Sequence, residues 1–476
     1  MTKKTFDPSS IYSASTRTLV GAVVLSLLSA CAAVGPTYQR PSVDTPVAFK
    51  EGQGAWVAAA PADALERGPW WQLFGDPVLN GLAERVTVDN QNVAQAVAAY
   101  AQARAAVAEQ RASLFPQVGL DLGATRRGTG GGGGSSNSYQ VSIGGSWEPD
   151  VWGRLGRAVE AARSGEQASA ADLAAARLSA QGELAADYFG LRGIDVQRAL
   201  LQETIAGYQR NLQITQNRYT AGIVARTDVL QAQTALANAQ ADALTLERQR
   251  AQLEHAIAVL VGVAPASFSI AAEPTWNINM AAVPVTVPST LLQRRPDIAA
   301  AERRVAAANE QIGIAQSAYY PSLSLSGSAG LGAATIGELF SASAFAWSLG
   351  ASVAQTLFNA GATGARVEQA RASQQAAAAR YRQTVLAAFG QVEDQLVASR
   401  VLGQQLALRQ QASQAATLVE QQVLNRYTAG QVSYSEVIAA QATALNARRA
   451  LVQLQSDRQT AAVALIQSLG GGWAGL

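Results

Sequence analysis

Side chains that could carry out chemistry are scarce in this 476-residue sequence, which contains one cysteine, Cys31, and one histidine, His255. A closed zinc site is built from several cysteine and histidine ligands, and a Ser-His-Asp triad needs a histidine oriented by an acid. His255 lies inside a long helical segment and is interpreted as a structural residue. The sequence therefore predicts no metal site, no bound cofactor and no enzymatic activity.

Cys31 has surroundings that predict a covalent modification. A basic segment is followed by an apolar run over residues 19–30, which is too short to span a bilayer and ends in Leu28-Ser29-Ala30-Cys31. This pattern resembles the signal of bacterial lipoproteins, in which cleavage before the cysteine allows its thiol and new amino group to be acylated. Ala32 follows rather than aspartate, which in such lipoproteins favours the outer membrane. We predict a signal peptide over residues 1–30 and a lipid on Cys31; the alternative is a chance cysteine after an ordinary secretory peptide.

Composition and charge argue against a nucleic-acid partner. Hydrophobic residues make up 49% of the chain and charged residues 15%, and the net charge is +2. A protein that binds phosphates would need a strong basic excess or basic clusters, but Arg303-Arg304 and Arg448-Arg449 are isolated pairs on helical segments. The composition indicates an exported, helix-rich protein.

One turn sequence occurs twice in the chain. Arg218-Tyr219-Thr220-Ala221-Gly222 recurs 208 residues later as Arg426-Tyr427-Thr428-Ala429-Gly430. Upstream, Phe115-Pro116 corresponds to Tyr320-Pro321 at an offset of 205 residues. Units of roughly 200 residues are far longer than a solenoid repeat, so these matches indicate a tandem domain duplication.

Four long segments, rich in alanine, glutamine and arginine and free of proline, flank the two turns at residues 153–219, 227–260, 361–427 and 435–469. As α-helices rising 1.5 Å per residue, the longer segments would span roughly 100 Å, which is wider than a compact domain. They predict antiparallel coiled coils, with Gly222 and Gly430 in the left-handed conformation where each longer helix ends.

The remaining segments set the predicted domain boundaries. Several prolines predict an extended tether over residues 31–72, with Trp70-Trp71 docking its end. Each repeat is predicted to begin with shorter helices, at about residues 77–114 and 289–318. The predicted order after the tether is a first repeat over residues 73–264, a proline-rich linker over 265–288, a second repeat over 289–470 and a tail over 471–476.

Within each repeat the apolar period changes from that of a helix to that of a strand. Val118, Leu120 and Leu122 alternate with small or polar residues, and a glycine-serine loop leads into a second alternating run. The second repeat has the same pattern. The predicted strands cover residues 117–126, 138–148, 321–331 and 343–357, and their lengths suit tilted transmembrane strands.

Aromatic residues near the strand ends favour membrane strands over the alternative, the edge of a soluble β-sandwich. Tyrosine and tryptophan concentrate at membrane interfaces because one end of each ring is apolar and the other polar. The predicted membrane girdle consists of Phe115, Trp147, Trp152, Tyr319, Tyr320, Phe345, Trp347 and Phe358.

Membrane strands in this number force several chains to associate. Four strands cannot close a barrel, and lipid does not tolerate an open sheet edge. Two chains would supply eight strands and a filled interior, whereas three would supply twelve and leave a lumen. The run Gly130–Gly134 is predicted to be the loop of the first hairpin and to face the exterior. It lacks the Gly-Lys-Ser/Thr ending of a phosphate-binding loop, so nucleotide binding is not predicted.

Further motifs cover essentially the whole mature chain. They are Val34-Gly35-Pro36-Thr37-Tyr38 after the lipoprotein signal, Trp147-Glu148-Pro149-Asp150-Val151-Trp152-Gly153-Arg154, Arg294-Arg295-Pro296-Asp297-Ile298, both Arg-Tyr-x-x-Gly turns and Gly470-Gly471-Gly472-Trp473. Together they resemble the TolC family of outer membrane efflux ducts, and within it the NodT-type lipoprotein branch. The resemblance implies a mostly α-helical homotrimer whose twelve strands form one membrane β-barrel and whose helices form a coiled-coil tunnel in the periplasm.

The same resemblance implies the function of an outer membrane channel in a tripartite efflux pump. Such a channel conducts small molecules, such as antibiotics, passively from periplasm to exterior. A periplasmic adaptor protein and an inner membrane pump of the resistance-nodulation-division type would open its periplasmic tip. The alternatives are a copper or silver efflux duct, disfavoured by only two methionines, a type I protein-secretion duct, and a periplasmic coiled coil without membrane strands.

Two acids are predicted to lie near the constriction of this tip. Asp228 and Glu436 occupy matching positions after the two turns, and Ser433-x-x-Glu436 has the form of a capping box. Around a threefold axis the two carboxylates would favour cations. In TolC relatives an aspartate lines the closed aperture two residues before the glutamine that matches Gln441, and a leucine precedes it by one helical turn. This chain has Ala439 in place of that aspartate and Ser435 in place of that leucine, so the conventional acidic ring is not expected here.

The turns themselves supply candidate gate residues. We hypothesise that Arg218, Tyr219, Arg426 and Tyr427 hold the inner hairpins together by hydrogen bonds, which adaptor docking replaces. The alternative is that each residue only closes the end of its own helix. The predicted gate is completed by Gly222, Gly430, Asp228, Ser435 and Glu436.

Overall fold

A computed structural model describes residues 33–52, 68–128, 135–276 and 295–471. Several sequence predictions lie outside the described residues. They concern the signal peptide, Cys31, the Gly130–Gly134 loop, linker residues 277–288, Arg294 and the tail from residue 472 onward.

Seven α-helices contain most of the described residues. They are α1 (Pro77–Asp89), α2 (Gln91–Ala112), α3 (Arg154–Thr220), α4 (Arg226–Leu260), α5 (Pro296–Ser317), α6 (Ala362–Thr428) and α7 (Tyr434–Ser468). Both ends of each of the four long helices lie within one residue of the prediction, so the predicted helices are confirmed. Among the described residues, we find no helix that combines the length and the apolarity needed to cross a membrane.

Four antiparallel strands form one sheet in the order β1-β2-β3-β4. Their bounds are Gln117–Gly128, Ser135–Trp147, Ser322–Ala333 and Phe345–Ala354. The predicted pair of hairpins is confirmed, and β2 of the first hairpin pairs with β3 of the second.

The fourth strand is shorter than the predicted span 343–357. A 3-10 turn occupies Ala342–Ala344, so β4 begins at Phe345. It ends at Ala354 because its partner β3 begins opposite at Ser322. The residue before Ser322 is a proline, which has no N–H group to continue the ladder.

The chain divides into two compact units, which are described separately. The first contains the described residues of Met1–Ser42, Tyr100–Ser169 and Ala301–Tyr381, and the second contains those of Val43–Ala99, Ala170–Ala300 and Arg382–Leu476.

In the first unit, residues 33–40 pack against helices and the end of the sheet. The Val34 N–H donates to the Trp152 carbonyl at 3.0 Å. Gly153 has a φ of +75°, and a Cβ there would lie 2.6 Å from that of Ala33. This close approach requires glycine, and it holds Ala33 against the segment between β2 and α3.

In the second unit, a core of aromatic side chains surrounds the start of α1. Trp70 and Trp71, the predicted docking residues, are buried in this core. Asp76 caps α1 by accepting the Val78 N–H at 2.9 Å, and it also accepts the Tyr188 hydroxyl at 2.7 Å. The cap therefore joins the beginning of α1 to the long helix α3.

Candidate functional site

The sheet has one continuous apolar face. The register places Val118 opposite Gly145, Leu120 opposite Ile143, and Ile143 opposite Ala329 on the next strand. Directly opposed residues of antiparallel strands point to the same side, so the apolar residues of all four strands share one face. This face carries Val118, Leu120, Leu122, Val141, Ile143, Leu323, Leu325, Leu331, Trp347, Leu349 and Val353. Leu349 is 80% exposed in the single chain, and an exposed apolar surface of this extent marks a contact with lipid or protein.

The opposite face is hydroxylated and built from small residues. The hydroxyls of Ser324 and Ser352 lie 2.7 Å apart across β3 and β4, and those of Ser328 and Ser348 lie 2.9 Å apart. On the first hairpin, the Gln140 amide donates to Asp121 at 3.2 Å. Such a face suits contact with water rather than with lipid.

Strands β1 and β4 are the edges of this sheet. In the described part of the chain, each pairs with a strand on one side only. Their outward backbone N–H and C=O groups are therefore available to another strand.

The predicted girdle residues lie at both ends of the strands. Trp147 donates its indole N–H to the Leu114 carbonyl at 3.0 Å, and Trp152 donates to the Pro321 carbonyl at 2.7 Å. The rings of Trp152 and Tyr320 stack with centroids 4.8 Å apart. Phe115, Trp147, Trp152, Tyr319, Tyr320 and Phe358 lie at the helical end of the sheet, and Phe345 and Trp347 lie towards the hairpin end.

Both duplicated turns close their helices in the predicted way. Gly222 and Gly430 have φ values of 72° and 75°. In the first turn, the Ile223 N–H donates to the Arg218 carbonyl at 2.8 Å and the Gly222 N–H to the Tyr219 carbonyl at 2.9 Å. This is a Schellman motif, and the second turn repeats it at Gln431 and Gly430.

One hydrogen bond joins the two turns directly. Arg218 Nη1 donates to the Tyr427 carbonyl at 2.8 Å, and its guanidinium lies 4.7 Å from the centroid of the Tyr427 ring. Tyr427 is 3% exposed, and the centroid of its ring lies 5.2 Å from that of the Tyr434 ring. Burial raises the pKa of Tyr434 to about 12, and a hydrogen bond with Thr215 opposes this shift. The link therefore ends in a packed aromatic cluster.

The other two hypothesised latch residues do not take part in this link. Tyr219 is 46% exposed, and the Arg426 side chain is also exposed, with no ion pair among the described residues. The duplicated residues have different neighbours, because the Arg218 side chain contacts the opposite turn whereas Arg426 faces solvent. The described link therefore uses the Arg218 side chain and the Tyr427 carbonyl, whereas the hypothesis gave a part to all four residues.

The predicted capping box is not formed. Ser433 is the N-cap of α7, but its side chain makes no hydrogen bond to a backbone N–H. Its hydroxyl instead lies 2.7 Å from that of Ser435 and 3.5 Å from the Glu436 carboxylate. Asp228 and Glu436 do lie in the first turns of α4 and α7 as expected, where a carboxylate stabilises the helix.

The chain belongs to the outer membrane efflux protein family, whose model matches residues 82–263 and 287–471. The resemblance to the TolC family is confirmed, and the chain is an outer membrane efflux channel rather than an enzyme. In the parts of the chain with described coordinates, no group of three or more His, Cys, Asp or Glu side chains could hold a metal ion.

Curated relatives resemble the chain over almost its full length. It is 30% identical to the pyoverdine export outer membrane protein OpmQ of Pseudomonas aeruginosa, with 94% of this chain and 97% of the relative aligned. It is 31% identical to the antibiotic efflux pump outer membrane protein ArpC of Pseudomonas putida, with 95% of each covered. The solved structure of the outer-membrane channel OprN matches with a TM-score of 0.82 and 30% identity, covering 92% of this chain and 99% of that one.

Proposed function

We propose that three copies of this chain form the outer membrane duct of a tripartite efflux pump, which carries small molecules such as antibiotics to the exterior. The observation that supports this most strongly is the two-faced sheet with two open edges. Lipid does not tolerate such edges, and four strands cannot close on themselves. Three copies supply twelve strands, enough for a barrel with a lumen that the serine-rich face would line.

Conduction in this duct is passive. The energy for export comes from an inner membrane pump of the resistance-nodulation-division type, and a periplasmic adaptor joins that pump to the tip formed by the two turns. ArpC is named for an antibiotic efflux pump and OpmQ for pyoverdine export, which supports small organic cargo for this chain as well.

The cargo class is tested by deleting the gene and measuring growth with organic antibiotics, copper and silver. We expect the deletion strain to become sensitive to antibiotics and to recover when the wild-type chain is restored. Sensitivity confined to copper and silver would contradict the proposed cargo and favour the metal-efflux alternative.

The proposed gate is closed by the link from Arg218 to the Tyr427 carbonyl. Adaptor docking would replace this hydrogen bond and allow the hairpins that carry the two turns to separate. The adjacent acids, Asp228 and Glu436, would give the constriction its preference for cations.

If Asp228 and Glu436 give the constriction its preference for cations, a double variant with Asp228→Asn and Glu436→Gln should have lower cation selectivity. Removing two carboxylates from each of three chains weakens the negative potential at the narrowest point of the conduction path. The measurement is the reversal potential of single channels in a potassium chloride gradient. An unchanged reversal potential would rule out this role for the acids.

The proposed lipid anchor on Cys31 is supported by the position of the residues that follow it. Val34 is hydrogen bonded to Trp152, beside the stacked pair of Trp152 and Tyr320. The described chain therefore begins beside the aromatic girdle, which is the level expected for the membrane interface.

Replacing Cys31 with serine should abolish incorporation of radiolabelled palmitate. Serine has no thiol for acylation. Cells expressing Cys31→Ser and the wild-type chain would be labelled in parallel and compared by immunoprecipitation. Equal labelling of the two proteins would show that Cys31 is not the lipid site.

A further inference from the structure

We propose that β4 of one copy pairs with β1 of the next in a register that repeats the internal pairing of β2 with β3. Within the bounds of the two strands, the paired residues run from Trp347 opposite Gly128 to Ala354 opposite Asp121. This inference rests on the proposed trimer and specifies the contact that closes its barrel.

The duplication relates the strands of the two repeats by fixed offsets. Proline precedes both β1 and β3, at Pro116 and Pro321, an offset of 205 residues. Glycine of positive φ follows both β2 and β4, at Gly153 and Gly361, an offset of 208 residues. These two offsets convert each residue of the first hairpin into its counterpart in the second.

The conversion reproduces a register that the structure shows independently. In the first hairpin, Gln117 lies opposite Ser146. The offsets convert this pair into Ser322 and Ala354, which lie opposite each other in the second hairpin. The two repeats therefore have the same internal strand register.

The same conversion applies to the junction between repeats. Strand β2 closes the first repeat and pairs with β3, which opens the second. In a ring of copies, β4 closes the second repeat and meets β1 of the next chain, which opens a first repeat. The observed pair Gly145 and Gly327 becomes Val353 and Leu122, and the pair Val141 and Leu331 becomes Leu349 and Arg126.

The derived register also keeps the two faces of the sheet continuous. Val353 and Leu122 both belong to the apolar face, whereas Ser352 and Gly123, the neighbouring derived pair, both belong to the polar face. A shift of one residue would place apolar side chains of one copy on the lumen side of the next. Trp347 would lie opposite Gly128, where the space around a Cβ is empty within 4 Å and an aromatic ring can cover the backbone.

Disulfide cross-linking tests this register. One double variant carries Ala351→Cys with Ala124→Cys, and a second carries Ser352→Cys with Gly123→Cys. Neighbouring pairs alternate between hydrogen-bonded and non-hydrogen-bonded geometry, with Cα separations of about 5.5 and 4.5 Å, both within disulfide range. Within one chain the two cysteines lie on opposite edges of the sheet, roughly 14 Å apart, so any disulfide joins two chains.

Controls shifted by two residues combine Ala351→Cys with Leu122→Cys or with Arg126→Cys. Their Cα atoms would lie about 7–8 Å apart in the proposed register, beyond normal disulfide geometry. Single-cysteine variants, which retain Cys31, give the background. Heat-modifiable migration of each variant in outer membranes shows that it has folded.

After mild oxidation, at least one in-register variant should form covalent dimers and trimers at least about tenfold more efficiently than the shifted controls. Stronger cross-linking of a shifted control would overturn the register but leave the trimeric barrel standing. Cross-linking of neither in-register variant would also overturn the register. In that case the oligomeric mass of the folded wild-type protein would show whether the proposed trimer fails with it.

Discussion

Replacing Ile143 with arginine should prevent the chain from assembling in the outer membrane. Ile143 lies on the apolar face of the central strand β2 and is 57% exposed in the single chain. An arginine on the lipid face near the middle of a barrel costs about 2–4 kcal/mol, and a trimer would carry three. The loss should appear as absence of the heat-modifiable, membrane-inserted form in outer membrane fractions.

The neighbouring Ser142 provides a matched control. Ser142 lies on the opposite face of the same strand, directly across from Asp121. Ser142→Arg introduces the same side chain into the proposed lumen, beside a carboxylate that can pair with it. We expect Ser142→Arg to assemble normally; equal assembly of both variants would contradict the assignment of the two faces.

Replacing Arg218 with alanine should open the channel in the absence of the adaptor. The change removes a charge-assisted hydrogen bond to the Tyr427 carbonyl and a cation–π contact with its ring. Together these contacts should contribute about 2 kcal/mol, so the ratio of open to closed channels should rise roughly 30-fold. Single-channel recording of the purified protein in planar bilayers measures this ratio directly.

Arg426→Ala is the matched control for this experiment, because the duplication places it at the equivalent position. The Arg426 side chain is exposed and takes no part in the link from Arg218 to Tyr427. Its removal should leave the open probability near that of the wild-type channel. If Arg218→Ala also conducted like the wild type, the proposed gate would be wrong.

Secondary structure was predictable where the local pattern was strong. The segments from 154 to 220 and from 362 to 428 contain no proline, and a glycine lies two residues after the end of each. The ends of these helices could therefore be predicted closely. Alternating residues likewise identified the strands. The end of β4 was missed because it depends on where β3 begins, which is a property of the partner strand.

The site was less predictable because its main contact joins distant residues. The turn motifs indicated that Arg218 and Tyr427 mattered, but their pairing across the two repeats depends on tertiary packing. At Ser433 the local pattern predicted the N-cap position of α7 but not the contact of its side chain. Its hydroxyl pairs with that of Ser435 instead of accepting a backbone N–H. The packing of Ala33 against Gly153 was also missed, although both repeats have a glycine at this position, Gly153 in the first and Gly361 in the second.

Native mass spectrometry of detergent-extracted protein shows whether the open sheet closes only with other copies of the chain. We expect a particle of three chains that requires detergent to remain in solution. A single chain that stayed monodisperse without detergent would contradict it, because the apolar face and both strand edges would then be stable in water.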